Sequence, residues 1–107
     1  ILEAQSIRVQ ANTQVSMVLK DAVILTPPVP GPAIPLNASA ETVDATRGKS
    51  FRMLCMAGLA GLPQVVMPWQ RFEGAPVGLS VIGRRYSDEQ LMAKAMAVYQ
   101  QLVASIQ

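Results

Sequence analysis

Residues Ala22-Val23-Ile24-Leu25 are apolar without exception, and the run stops at Thr26-Pro27-Pro28. Such a run has no polar face to offer water. It suits a strand buried on both faces, inside a sheet covered by helices. A strand of this kind needs neighbours, and two more candidates follow. Val65-Val66-Met67 is stopped by Pro68, and Val77 to Gly83 follows a connection in which Gly74 supplies a turn. The connection from Trp69 to Pro76 is short, which predicts that the second and third strands are antiparallel neighbours. The three runs, at Val23, Val66 and Val81, read as inner strands of a larger sheet. The first must reach a partner across a proline-rich segment and a helix. Unpaired edges beside Val23 or Val81 are then expected to invite pairing with another chain.

Helical patterns flank these runs. Over residues 2 to 19, Ala4, Ile7, Ala11, Val15 and Val18 recur at three- and four-residue spacing and form one apolar stripe. Residues 27 to 35 hold five prolines and must be extended or irregular. Pro27-x-x-Pro30 and Pro32-x-x-Pro35 fit an SH3-type ligand in form, but a rigid connection between strand and helix is the simpler assignment. Ser39 is placed to N-cap a helix from Ala40 to about Leu59, with Val43, Phe51, Leu54, Cys55 and Leu59 on its buried side. Gly48 weakens the middle of that helix by about 1 kcal/mol, and a break there is an open alternative. Gly58, Gly61 and Pro63 end it. The last helix has the clearest start. Ser87-Asp88-Glu89-Gln90 forms a capping box with Ser87 at the N-cap and Gln90 at N3, and Asp88 and Glu89 complement the helix dipole. Leu91, Ala95, Val98, Leu102 and Ile106 make one apolar row; Met92, Met96, Tyr99 and Val103 make the next. So wide a stripe must pack on the sheet, with the methionines as core filler.

With 107 residues the chain forms one domain at most. It is 50% hydrophobic and only 15% charged, against about 25% charged in typical soluble domains. Its mean hydropathy is +0.29. Part of its surface is therefore expected to lie against other polypeptide. The net charge of +2 is mild, and the basic residues are scattered from Arg8 to Lys94, so nothing favours nucleic acid. The longest apolar stretch, Met53 to Met67, is broken by Pro63 and Gln64 and falls short of the roughly 20 residues that span a bilayer. No signal peptide is visible. The start at Ile1, mid-pattern and without Met, hints at a fragment. A single cysteine, Cys55, allows no internal disulfide and suggests the reducing cytoplasm.

The absence of histidine removes Ser-His-Asp and Cys-His catalysis together with the usual zinc sites. Gly48-Lys49-Ser50 resembles the end of a P-loop, but the required earlier glycine is Val43 and the context is helical. Cys55, among Leu54, Met56 and Ala57, reads as an inert buried thiol. A Ser-Lys dyad remains open: Ser16 and Lys20 stand at i,i+4, whereas Lys49 and Ser50 point apart. Neither pair has the tight turn or oxyanion hole that such a site needs. The residues alone thus describe an incomplete, helix-covered sheet with apolar faces and no active site of its own.

The order of the segments carries a resemblance. Asp21-Ala22-Val23-Ile24-Leu25-Thr26-Pro27 resembles the D-x-hydrophobic-L-T-P stretch near the C-terminal end of amidase-signature enzymes. Gly61-Leu62-Pro63 followed by Val65-Val66-Met67-Pro68 resembles their G-L-P-x-x-x-x-P stretch. Ala75-Pro76-Val77-Gly78-Leu79-Ser80-Val81-Ile82-Gly83-Arg84, then Ser87-Asp88-Glu89-Gln90-Leu91, resembles their P-V-G-L-Q-hydrophobic-I-G and the D-E-x-L helix start after it. Gly58 departs from the asparagine often found there. Gly61-Leu62-Pro63-Gln64 and the tail around Tyr99 look closest to indoleacetamide-hydrolase-like members.

The resemblance implies that residues 1–107 are the C-terminal segment of an amidase-signature domain: an α/β arrangement of helices covering a short mixed sheet. Members of that family hydrolyse carboxamides to an acid and ammonia or an amine, using two serines and a lysine in an earlier Gly/Ser-rich region. No such run exists here, so no residue of this chain inherits a catalytic role, and no cofactor or metal is expected. By position, the turns at Thr26, Pro27 and Pro28 and at Pro68 and Trp69 are expected to wall the substrate pocket, with Trp69 suited to an aromatic or apolar acyl group. The expected partners are the N-terminal catalytic part of the amidase or a second copy of this chain, with a small amide as substrate of the complete enzyme and neither nucleic acid nor membrane. A stand-alone binding or structural module, and one half of a split amidase, remain as alternatives.

Overall fold

A computed structural model describes residues 1–106. The elements follow the order α1 (Leu2–Val18), β1 (Ile24–Thr26), α2 (Ala40–Ala60), β2 (Gln64–Phe72), β3 (Ala75–Ile82) and α3 (Asp88–Ile106). Helix α2 starts as its sequence dictates: Ser39 is extended, and its hydroxyl accepts from the Thr42 amide at 3.1 Å. The helix runs unbroken through Gly48 and Gly58 and ends at Gly61, which takes the left-handed conformation at φ 66°. Its amide donates to the Ala57 carbonyl. A side chain at Gly61 would be strained by that φ, and its Cβ would lie 2.6 Å from Arg85 Nη2.

The three strands form one sheet in the order β1-β3-β2. Both pairings are antiparallel, with Leu25 opposite Val81 on one side and Val65 opposite Val81 on the other. The expected α/β fold is present. Among the described strands, however, the sheet is antiparallel throughout, and the mixed character expected of it has no parallel pair here. Three further expectations are corrected. Pro68 does not stop β2. A bulge between Pro68 and Gln70 absorbs the residue that cannot donate, and the strand continues to Phe72. The β2–β3 hairpin then turns through Glu73 at φ 53° and Gly74 at φ 80°, the two successive left-handed residues of a type I′ turn. Val81 borders no open edge, because β3 is the central strand; the edges belong to β1 and β2.

Helix α3 lies across one face of the sheet. Met67, Val81, Leu91 and Ala95 form the core, with Val23, Val65, Leu79, Val98 and Tyr99 packed around them. The second apolar row of α3 is less covered than expected: Met92 and Met96 are 56% and 59% exposed. The side chain of Ile106, the last member of the first row, lies outside the described residues. Ser87 ends the turn before α3, and its carbonyl accepts from Leu91 at 2.8 Å. Its hydroxyl does not follow the expected capping box; it donates back to the Arg84 carbonyl at 2.6 Å.

Helices α1 and α2 pack on each other rather than on the sheet. One tie between them is Arg8 Nε donating to the Leu59 carbonyl at 3.0 Å. No residue within α1 is buried. The stripe of Ala4, Ile7, Ala11 and Val18 faces solvent, and only Val15 is half-buried. The side of α2 expected to be buried is also open, with Phe51 65% exposed and Leu54, Cys55 and Leu59 exposed beside it. Ala57 and Ala60 are the buried residues of that helix. Apolar periodicity marked the faces that can be covered, but nothing in this chain covers them.

The resulting shape is a slab of 44 × 39 × 16 Å. Its radius of gyration is 16.0 Å, against about 13 Å for a compact domain of this length. It exposes 7959 Å², where a compact monomer of this mass exposes roughly 5,800 Å². Among the described residues, no helix is long and apolar enough to cross a membrane.

Candidate functional site

The turn after β1 and the bulged part of β2 meet over the end of β3. Two sequence features hold them there. First, Ser80 is fully buried and its hydroxyl is used twice: it donates to the Thr26 carbonyl at 2.7 Å and accepts from Gln64 Nε2 at 2.9 Å. This bond chain ties the three strands together where the backbone of β1 is about to leave the sheet. Second, Gly78 leaves room above β3. A Cβ at that position would stand 3.2 Å from the Met67 carbonyl oxygen and 3.5 Å from Pro28 Cγ. Without that side chain, the Pro28 ring settles against the sheet.

A hollow of about 340 Å³ results. Pro27, Pro28 and Pro32 line one side; Trp69, Phe72 and Val77 line the other, with Gly78 beneath. The proline side is stiff because the ring fixes φ. Trp69 sits within the bulge and is 41% exposed. No charged side chain lines the hollow. Its chemistry is therefore that of an apolar contact surface, suited to a ring or alkyl group and unsuited to a charged one.

The five residues singled out from the sequence do not all converge. Pro27, Pro28 and Trp69 share this hollow. Thr26 stands behind it, its carbonyl occupied by Ser80 and its hydroxyl donating to the Pro27 carbonyl at 3.3 Å. Pro68 lines two other depressions, one shared with Trp69 and one beside α3. Phe72, Val77 and Gly78 were not foreseen. Their part depends on β2 running past Pro68 and on the bulge that shifts its register, and neither is written in the local pattern.

The described residues contain no nucleophile with a base in reach. The hydroxyls of the two buried serines, Ser80 and Ser87, are committed to backbone carbonyls. Ser16 lies in α1, but Lys20 lies beyond the helix end at Val18, so the i,i+4 geometry imagined for them is not formed. Lys49 and Ser50 are neighbours on α2. Cys55 is exposed, contrary to expectation, and its thiol faces the Arg52 carbonyl at 3.7 Å within its own helix. No group of three or more His, Cys, Asp or Glu residues is placed to hold a metal among the described residues.

A three-stranded antiparallel sheet with one helix on it and a helix pair at its side describes a class, an α/β layer, and leaves the lineage open. Comparison with known proteins supplies it. Residues 1–92 match the Amidase family, and the chain belongs to that family. It is 34% identical over 100 residues to Amidase 1 of Oryza sativa subsp. japonica, a match covering 92% of this chain and 23% of that protein. It is 33% identical over 96 residues to a glutamyl-tRNA(Gln) amidotransferase subunit of Pseudothermotoga lettingae, covering 89% and 20%. The crystal structure of a glutamyl-tRNA(Gln) amidotransferase subunit from Thermotoga maritima superposes with a TM-score of 0.73 at 29% identity, over 83% of this chain and 20% of that one. A crystal structure of an amidase shares the fold with a TM-score of 0.71 at 24% identity. The chain thus spans about a fifth of the length of these relatives.

Proposed function

We propose that this chain supplies sheet and one wall of the substrate pocket to a carbon–nitrogen hydrolase that converts a carboxamide to an acid and ammonia or an amine. The nucleophile and proton relay come from polypeptide beyond this chain. The observation that carries this is the family match over residues 1–92, joined to a stretch in which every buried hydroxyl is already engaged. The hollow between the prolines and Trp69 receives the apolar part of the amide, with Pro68 at its border and Thr26 fixing the turn behind it. The surfaces that receive the rest of the domain are the open faces of α1 and α2 and the short β1 edge, where Leu25 lies uncovered. A single free cysteine suits a reducing cytoplasm.

Trp69 is the sole tryptophan of the sequence, so its fluorescence reports on the hollow directly. Titration of the chain with indoleacetamide, benzamide and a long-chain amide should perturb that emission without any hydrolysis. Turnover above the buffer rate that disappears in a Ser→Ala variant of this chain would overturn the non-catalytic assignment. Emission unchanged by all three amides would overturn the pocket wall.

A further inference from the structure

The most apolar depression of the molecule is not the proline hollow. It lies on the other flank of β2, where α3 overhangs the sheet edge. Val65, Val66, Met67 and Pro68 of β2 form one side, and Met92, Ala95, Met96 and Tyr99 of α3 form the other, around a volume of about 340 Å³. No charged residue lines it. Lys94, between the two methionines in sequence, lines a separate polar cleft near Leu19. Beneath the overhang runs the free edge of β2, which pairs only with β3.

We propose that this face is a two-fold interface between copies of the chain, in which the β2 edges pair antiparallel and the methionine faces of the two α3 helices close over them. Three observations favour a second copy over other occupants. An isologous contact brings each residue near its own counterpart, so an interface of this type must avoid charge at its centre; the stretch Gln64–Met67 and the groove above it carry none. An edge strand of nine residues invites pairing, but Pro68 offers no donor and the following bulge bends the strand away. Pairing is thereby confined to Gln64–Met67, which sets the register and stops open-ended growth. Finally, the surplus of exposed surface is about 2,200 Å² over a compact monomer, more than the roughly 800 Å² each partner gives to a standard interface. The dimer so formed has a continuous six-stranded sheet in the order β1-β3-β2-β2-β3-β1. The net charge of +2 per copy opposes this only weakly.

Sedimentation velocity of the full chain over a concentration series tests the proposal. The wild type should show a reversible monomer–dimer equilibrium. Met92→Lys combined with Met96→Lys places like charges across the axis and should weaken the dimer on the order of a hundred-fold or more. Both side chains are more than half exposed, so the monomer fold should survive, which far-UV circular dichroism would verify. Leu25→Lys, on the opposite edge of the sheet, should leave the dimer intact. A chain that stays monomeric at millimolar concentration would overturn the interface. So would a dimer abolished by Leu25→Lys and untouched by the methionine pair. Amide exchange gives a second view: on dimerisation Val65 and Val66 should gain protection and Ile24 to Thr26 should not, and the reverse would contradict the assignment. Each outcome is independent of amide turnover or of the Trp69 response.

Discussion

The sheet with α3 and the pair α1–α2 are built from similarly apolar sequence, yet only one of them makes a core. Leu91 recurs at helical spacing with Ala95 and is 1% exposed, because the pleated surface of β2 and β3 lies directly beneath it. Ile7 recurs at the same spacing with Ala4 and Ala11 and is 59% exposed, because α1 meets only α2. Burial is a property of what stands opposite a residue, and the relatives of this chain are about five times longer. The greasy, weakly charged composition that looked excessive for one small domain is concentrated on those open faces.

Truncation of the core should separate the two regions most sharply. Leu91→Ala is expected to destabilise the fold by about 2–5 kcal/mol, through lost burial and an unfilled cavity between α3 and the sheet. Denaturant melts with an unchanged m-value would report it. Ser87→Ala removes the bond to the Arg84 carbonyl from a nearly buried site and should cost about 1 kcal/mol. A Leu91→Ala effect smaller than that of Ser87→Ala would mean that α3 does not dock on the sheet. Ile7→Ala, in the other region, should change stability by no more than about 0.5 kcal/mol. A loss as large as that of Leu91→Ala would show that α1 is covered after all.

Much of this architecture was legible residue by residue. The start of α2 at Ser39 and its end at Gly61 follow from a hydroxyl that can cap and a glycine that can turn left-handed. The β2–β3 hairpin follows from the short connection and Gly74. Three features were not legible, for identifiable reasons. The partner of β1 is separated from it by more than fifty residues, and no local pattern encodes so distant a pairing. Pro68 normally punctuates a strand, but on an edge a bulge can accommodate it, and which strand is an edge is a property of the assembled sheet. The exposed state of Phe51, Leu54 and Cys55 depends on a cover that the periodicity implies and the chain does not contain. The site divides along the same line. Pro27, Pro28 and Trp69 were visible as turn residues beside strand ends, whereas Phe72 and the glycine that seats Pro28 became visible only once the register was known.

The central claim is that one region closes its own core while the other waits for cover, and native-state hydrogen exchange of the intact chain tests it directly. Amides of Val81 and of Leu91 to Ala95 should exchange only through global opening. Amides across α1 should exchange by local opening, faster on the order of a hundred-fold or more. Equal protection across α1, β3 and α3 would contradict the account, since it would mean that all the elements open together as one cooperative unit.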